Sequence, residues 1–524
     1  MNKKDILFGQ SYYLRFDPKL WDAMQPYPPL GTMIAANVVR EQGYEVALFD
    51  AMLAESTAEW QAALNKHQPR IAIIYEDNFN YLSKMCLLNM RQAAFTMLKM
   101  AKAANCITII CGSDATDHFD QYLANGADFV ILGEGEATLT ELLPELTPQS
   151  PSPSSPHSTI PNLAYKTTNG PICTPRRPPI QDVDRLPFPA WDLIDVERYR
   201  RIWLAKHGYF SMNMVTTRGC PYHCNWCAKP IWGQRYNSRS PQKVAEELQW
   251  LKEMYQPDHI WFADDIMGLK PNWWANFADE VEKRSAQLPF KCLSRADLLL
   301  RSDTEIVAMR RAGCDIVWIG AESGSQKILN AMEKGTTVAQ IYEATQKLHE
   351  AGIRVGFFLQ FGYPGETAVA VEKTLQMVRD CQPDDVGMSV SYPLPGTKFH
   401  QSVQQHLGKK QNWNDSADLA MLYQGPFSTA YYRQLHLVLH KEFRSRKAWH
   451  QWQKVAFHPS KWQASHFREL VASAYRLATL PSARRKLQQL ADASPQGIEL
   501  AQPMSLAEAA QPSPQPHEVL HDPN

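Results

Sequence analysis

Twice along the chain, short apolar runs alternate with helical stretches, and that alternation leaves few folds open. In the first series Asp5–Phe8, Tyr44–Phe49, Ile71–Tyr75, Ile107–Cys111 and Phe129–Leu132 read as strands. Between them, Thr32–Gln42 carries Ile34 and Val38 at helical spacing with Gly43 as a stop, and Arg91–Ala104 is also helical. Strands joined through helices run parallel, so residues 1–143 are expected to form an α/β, doubly wound, flavodoxin-like sheet. Such sheets bind ligands outside the carboxyl ends of their strands. Two of the segments at those ends, Cys111–Thr116 and Gly133–Glu136, are rich in small residues. That suits close approach of a ligand, and it suits ordinary turn chemistry equally well.

Pro144–Pro161 is too rich in proline and serine to pack, and residues 144–205 read as a linker followed by a small hairpin, Asn162–Tyr165 with Pro171–Cys173. A second series then runs over residues 206–400. Its strands are Met212–Thr217, His259–Ala263, Phe290–Leu293, Asp315–Ile319, Val355–Phe361 and Val386–Val390. Helices separate them, one capped by Ser240-Pro241 and another opening on Ser302 and Glu305 as a capping box. Six such units predict a partial (β/α)6 barrel with its chemistry at the carboxyl ends of the strands. Residues 401–482 read as a helical C-terminal region, in which Lys441–Trp462 is basic and aromatic; such a helix packs on its own domain more often than on a membrane. Residues 483–524 are expected to be a disordered tail.

The 54 basic and 54 acidic residues balance, so no global charge points to nucleic acid. The start of the chain lacks a signal-type apolar core, and no apolar run approaches the ~20 residues a membrane helix needs, so a cytoplasmic location is expected. Ten cysteines in 524 residues do not form a disulfide framework. Seven are isolated in the sequence, and the remaining three, Cys220, Cys224 and Cys227, are spaced C-x3-C-x2-C directly after the first strand of the second series. Three thiolates on one tight loop can hold an iron–sulfur cluster and leave one iron open. A zinc knuckle is the competing assignment, but structural zinc wants four ligands in paired spacings that this loop lacks.

This loop, with Trp226 before its last cysteine, resembles the cluster motif of the radical S-adenosylmethionine superfamily. Further segments match in order: Arg239-Ser240-Pro241, Phe262–Asp265, Ser294–Asp297, Gly320–Ser325, Gly362–Thr367 and Pro395-Gly396-Thr397. The preceding domain is similar to the cobalamin-binding domain of one branch of that superfamily, and the likeness covers roughly residues 1–400. It implies a 4Fe-4S cluster on Cys220, Cys224 and Cys227 that holds S-adenosylmethionine at the open iron and, once reduced, releases a 5′-deoxyadenosyl radical. By the same resemblance Trp226, Asp264, Asp265, Arg295, Glu322 and Ser323 are candidate contacts of S-adenosylmethionine, and Gly112, Ser113, Gly133 and Gly135 of cobalamin. Asp264 and Asp265 could equally be a strand-end turn or a cap. None of the 16 histidines has Asp two residues before it, so the Asp-x-His-x-x-Gly motif of other cobalamin domains is absent. The branch commonly lacks it.

The resemblance implies an oxygen-sensitive enzyme that methylates an unactivated carbon of a small-molecule substrate, with methylcobalamin as donor and flavodoxin or ferredoxin as electron source. A radical cyclase like the anaerobic porphyrin cyclases is the second expectation; a non-catalytic metal-binding or redox-sensing protein is the rival from another class. A transfer RNA methylthio transferase would bring three further cluster cysteines, and Cys86, Cys106 and Cys111 do not form that set. Fifteen tryptophans are compatible with an apolar or planar substrate, although many must be core.

Overall fold

A computed structural model describes residues 4–85, 87–146, 159–228, 231–455 and 464–494. The first sheet contains β1 (Ile6–Gly9), β2 (Val46–Phe49), β3 (Ile71–Tyr75), β4 (Ile107–Cys111), β5 (Phe129–Ile131), β6 (Leu163–Thr167) and β7 (Gly170–Cys173) in the order β2-β1-β3-β4-β5-β6-β7. The first five strands are parallel. Their residues alternate between two buried layers. Ile6, Phe8, Ile71, Ile73 and Ile109 meet Ala36, Val39, Leu139 and Leu142 of helices Leu30–Glu41 and Glu136–Glu145. Leu7, Ala72, Ile74 and Ile110 meet Trp60, Leu64, Ala94 and Leu98 of helices Ala58–His67 and Leu88–Ala103. Burial on both faces is why these strands read as continuous apolar runs.

The hairpin does not stand apart from this sheet. β6 pairs antiparallel with β5, Val130 opposite Ala164, and β7 forms the outer edge. The Pro/Ser-rich residues 147–158 lie outside the described residues.

The second sheet is a parallel half-barrel of β8 (Ser211–Met214), β11 (His259–Phe262), β12 (Phe290–Ser294), β13 (Cys314–Glu322), β14 (Arg354–Phe361) and β15 (Asp385–Val390), in the order β15-β14-β13-β12-β11-β8. A separate antiparallel pair, β9 (Thr217–Arg218) with β10 (Asn237–Ser238), lies beyond β8. The expected strand Met212–Thr217 is broken because the N–H groups of Thr216 and Thr217 go to the Asp264 carboxylate, at 2.8 and 2.7 Å, instead of to a neighbouring strand. Helices cover the outer face: Ile260, Phe262, Phe290, Val317 and Phe357 pack with Leu248, Phe277, Met309, Leu348 and Leu375. On the inner face Trp261, Lys291, Leu293 and Trp318 remain half-buried, and Phe358 is 39 % exposed.

Cap chemistry departs from expectation at one helix. Ser302 caps Asp303–Ala312 through the N–H of Thr304, but the Glu305 side chain pairs with Arg301, so no capping box forms. Thr337 and Gln340 form the reciprocal box before Val338–Glu350.

Two long helices, Thr429–Val455 and Ala464–Asp492, close the described chain. Tyr431, Tyr432, Leu435, Leu439 and Phe443 are buried, so the first of them packs on its own protein, while Trp449 is exposed. Phe457, Lys461 and Trp462 lie outside the described residues. The second helix continues past position 483, where a tail was expected, because Gln434 donates to the Ala483 carbonyl and Arg484 pairs with Glu442. Residues 495–524 lie outside the described residues. No helix among the described residues is long and apolar enough to cross a membrane.

Tyr432 also fixes the loop after β14. The Oε2 atom of buried Glu366 accepts from the Gly362 N–H at 2.7 Å and from the Tyr432 hydroxyl at 3.2 Å. Burial pushes this carboxyl from 4.5 up to about 8. A carboxyl raised in the folded state supplies stability that is fully present below about pH 4.5 and lost as pH rises through about 8. Glu366→Gln is therefore expected to flatten the decline in urea midpoint between pH 5 and 8 and to be more stable than the parent at about pH 8; parallel slopes for the two proteins would contradict this.

Candidate functional site

The cysteine loop leaves on β9 and returns on β10, and Gly219 makes its first bend. Its φ is +81°, and a Cβ there would sit 2.4 Å from the Arg235 carbonyl oxygen, so only glycine fits. Cys224 is buried, while Cys220 and Cys227 are partly exposed. Asn225, between the second and third cysteines, anchors the loop. Its N–H donates to the Met332 carbonyl at 3.1 Å and its Nδ2 to the Ala331 carbonyl at 2.8 Å. Its Oδ1 accepts from the Tyr363 hydroxyl at 3.0 Å, and its carbonyl accepts from Phe399 N–H at 3.0 Å.

Arg218, directly before Gly219, is buried and ties the loop to the first sheet. Its Nη1 pairs with Glu134 and its Nη2 lies 2.7 Å from Glu136 Oε1. The three side chains are 3–5 % exposed. Burial alone would raise the Glu136 carboxyl, but the guanidinium outweighs it and holds the group below its ordinary value. The Gly133–Glu136 segment is thus a receptor for Arg218.

The predicted site residues divide into two groups. Arg295, Glu322 and Trp226 gather around the cysteines. Arg295 binds Asp297 and the Lys334 carbonyl, its Nη1 is 3.7 Å from Cys224 Sγ, and it stacks 3.7 Å from the Tyr222 ring centroid. Glu322 pairs with Lys334 at 2.8 Å, both side chains being buried. Gly320 leaves room for that pair, since a Cβ there would come 2.6 Å from Lys334 Nζ. Glu322 also sits at φ +55°, a left-handed conformation uncommon for a residue with a side chain and typical of functional strand ends. Trp226 packs on the apolar cluster of Met332, Tyr363 and Phe399, and its Nε1 is buried with no hydrogen-bond partner. Asp265, at the end of β11, is exposed.

The other group is committed elsewhere. Asp264 accepts four hydrogen bonds from the N–H and hydroxyl groups of Thr216 and Thr217, which makes it a positioning residue for the cysteine loop. Burial still raises it to about 6. The Ser323 hydroxyl is engaged with Thr374 and the Ser325 N–H. Gly112 and Gly135 admit this chain's own side chains: a Cβ would meet Glu76 Cγ at 2.7 Å in the first case and the Tyr75 ring at 2.7 Å in the second. Gly133, at φ +94°, donates to the Thr116 hydroxyl. Ser113 differs, because its hydroxyl is buried without a partner.

Arg218 and Asn225 lie inside the motif region, yet no sequence signal gives their partners; Lys334 has no sequence signal at all. Among the described residues no group of three or more His, Cys, Asp or Glu side chains is arranged to hold a metal ion.

Residues 214–378 match the radical SAM superfamily. They are a radical SAM domain. The protein is an enzyme of the radical SAM type, a type that works with a 4Fe-4S cluster and S-adenosylmethionine. The chain is 28 % identical over 394 residues to an uncharacterized methyltransferase of Pyrococcus horikoshii, covering 74 % of this chain and 81 % of that one. It is also 28 % identical over 311 residues to the anaerobic magnesium-protoporphyrin IX monomethyl ester cyclase of Rubrivivax gelatinosus, covering 58 % of this chain and 55 % of the cyclase's own length. Among solved structures it resembles the radical S-adenosylmethionine methyltransferase TsrM of Kitasatospora setae with cobalamin and a 4Fe-4S cluster bound. That likeness has a TM-score of 0.61 at 18 % identity and covers 77 % and 75 % of the two chains. It is a likeness of fold.

Strand ends of the first sheet meet the inner face of the half-barrel around a cavity of about 200 Å3. Tyr12, Met52, Asp77 and Phe79 line it from one side, and Asn213, Trp261, Ala263 and Lys291 from the other. Tyr81, 55 % exposed, also borders it. At the carboxyl ends of the adjoining strands β1, β3 and β4, Gln10 Nε2, Asn78 Oδ1 and Ser113 Oγ are buried without partners. A polar ligand outside these strand ends would satisfy such atoms.

Two substitutions test this architecture. Arg218→Met leaves two buried carboxylates facing each other and is expected to cost about 3–5 kcal/mol in urea unfolding, with recovery when Glu134→Gln and Glu136→Gln are added. Asn225→Ala removes two side-chain hydrogen bonds; a local loss of about 1–3 kcal/mol is expected, seen as reduced iron retention after reconstitution with little change in global unfolding.

Proposed function

We propose that this protein is a cobalamin-dependent radical SAM methyltransferase acting on an unactivated carbon of a small molecule. The observation that supports this most is the meeting of first-sheet strand ends with the inner face of the half-barrel at one cavity, with orphaned polar atoms at the ends of the adjoining strands β1, β3 and β4. Cys220, Cys224 and Cys227 would hold the cluster, with the Arg295 guanidinium 3.7 Å from Cys224 Sγ. Exposed Asp265 is suited to the ammonium of S-adenosylmethionine, and the orphaned Trp226 N–H is a donor still in need of an acceptor. Gln10, Asn78 and Ser113 would bind cobalamin in place of the glycines of the Gly133–Glu136 loop, which serves Arg218. Bound together, these groups supply a 5′-deoxyadenosyl radical to remove a substrate hydrogen and a methyl group to replace it.

The chain's own contribution is position and exclusion of water. Asp264 and Asn225 fix the two ends of the cysteine loop, and the aromatic residues Tyr12, Phe79, Tyr81 and Trp261 border a space in which a reactive intermediate is shielded. A cytoplasmic, oxygen-sensitive enzyme fed by flavodoxin or ferredoxin is the setting we propose.

Anaerobic reconstitution should load about four irons, lost in the triple Cys→Ala variant, and reduction should cleave S-adenosylmethionine to 5′-deoxyadenosine. Protein from cells grown with the vitamin should carry stoichiometric cobalamin. Zinc in place of iron with no cleavage would sink the radical chemistry, and full activity without cobalamin would exclude methyl transfer from it.

A further inference from the structure

The buried cations Arg295 and Lys334 of the half-barrel each have an acidic partner, Asp297 and Glu322. Lys291 has no ion pair among the described residues. It is the second residue of β12, where alternation sends Phe290, Cys292 and Ser294 to the buried helix side and Lys291 and Leu293 to the inner face. Its Nζ lies 4.9 Å from the Trp261 ring centroid and 5.2 Å from that of Tyr27, and among the described residues it makes no hydrogen bond or ion pair. It borders the 200 Å3 cavity. An ammonium held between two aromatic faces on a cavity wall is stabilised by them but keeps its hydrogen-bond donors unused.

The same inner face has a flat apolar floor. Trp318 and Phe358 stack with centroids 4.6 Å apart at 28°. Gly356 lets the indole lie against β14, since a Cβ there would come 2.5 Å from it, and a Cβ at Gly387 would come 3.3 Å from the Phe358 ring. Leu293, two residues after Lys291, is in register with Trp318, and Trp318 with Gly356. Lys291 thus shares the inner face with a planar apolar surface, two residues before the register neighbour of Trp318.

We propose that Lys291 is a substrate-binding residue that pairs with a carboxylate, so that the substrate class is a carboxylic acid with an apolar or planar body lying on Trp318 and Phe358. This rests on the reading that the cavity between the sheets is where the substrate lies.

Burial lowers the Lys291 ammonium to about 8, opposed by the charge of Asp385. Of the other groups facing it, burial holds the Tyr27 phenol above its ordinary range and His259 down at about 4, and Asp77 accepts from the Gly31 and Phe79 N–H groups. The ammonium form exists below about pH 8 and is lost above it, so the pairing should weaken as pH rises.

The test is equilibrium dialysis of 2-naphthoate against methyl 2-naphthoate with the full-length, reconstituted protein. At pH 7 the acid should bind about tenfold more tightly than the ester. That preference should vanish in Lys291→Met, persist in Lys291→Arg, and fade above about pH 9 in the parent only, because arginine stays charged. Equal binding of acid and ester by the parent, or a preference retained in Lys291→Met, would overturn the proposal. Should Lys291→Met fail to fold, the pH dependence of the parent against Lys291→Arg decides alone. Iron content and S-adenosylmethionine cleavage are measured on the same samples, so an enzyme without radical chemistry is told apart from a cavity without carboxylate preference.

Discussion

Everything that surrounds the cysteine loop depends on one buried guanidinium. Arg218 leaves the half-barrel one residue before the loop's glycine and ends between Glu134 and Glu136, which belong to the end of β5 and the start of the following helix. Taking three charges out of water is costly, and their mutual attraction offsets that cost only where the geometry is right. Any other placement of the loop would leave two buried carboxylates unpaired. The relative position of the two sheets, and with it the cavity between them, is set by that penalty.

Around this pairing the structure assigns charged residues to geometry that their placement alone suggests for ligands. Asp264 follows a strand at the mouth of a half-barrel, where a contact with S-adenosylmethionine is the natural expectation, yet its four hydrogen bonds hold Thr216 and Thr217. Arg295 and the Lys334–Glu322 pair similarly surround Cys224 and Trp226. The loop that carries the three cysteines is held by directional hydrogen bonds next to it, so its shape does not wait on what it binds.

The strands were legible because two-sided burial writes continuous apolar runs; Ile71–Tyr75 and Ile107–Cys111 end where the pattern says they end. The cysteine spacing likewise located the loop, since three ligands of one site must be close in sequence when the site is a single turn. Non-local choices left no such trace. Nothing in Leu163–Thr167 says that it will pair with β5, and nothing in Arg218 names Glu134. The glycines misled for a related reason: Gly112 and Gly135 do permit close approach, but the approaching atoms belong to Glu76 and Tyr75. The helix beyond position 483 was hidden because its partners Gln434 and Glu442 lie about fifty residues away. Composition at 483–494 is polar, and polar composition cannot distinguish a docked helix from a tail.

The added hairpin has a consequence for how the molecule behaves among copies of itself. A parallel sheet that stopped at β5 would present a row of unpaired backbone groups on an apolar strand, a template for another chain. Instead the outermost strand is β7, four residues long, largely exposed and interrupted by Pro171, which has no N–H to offer. Growth of the sheet from molecule to molecule is blocked at that margin.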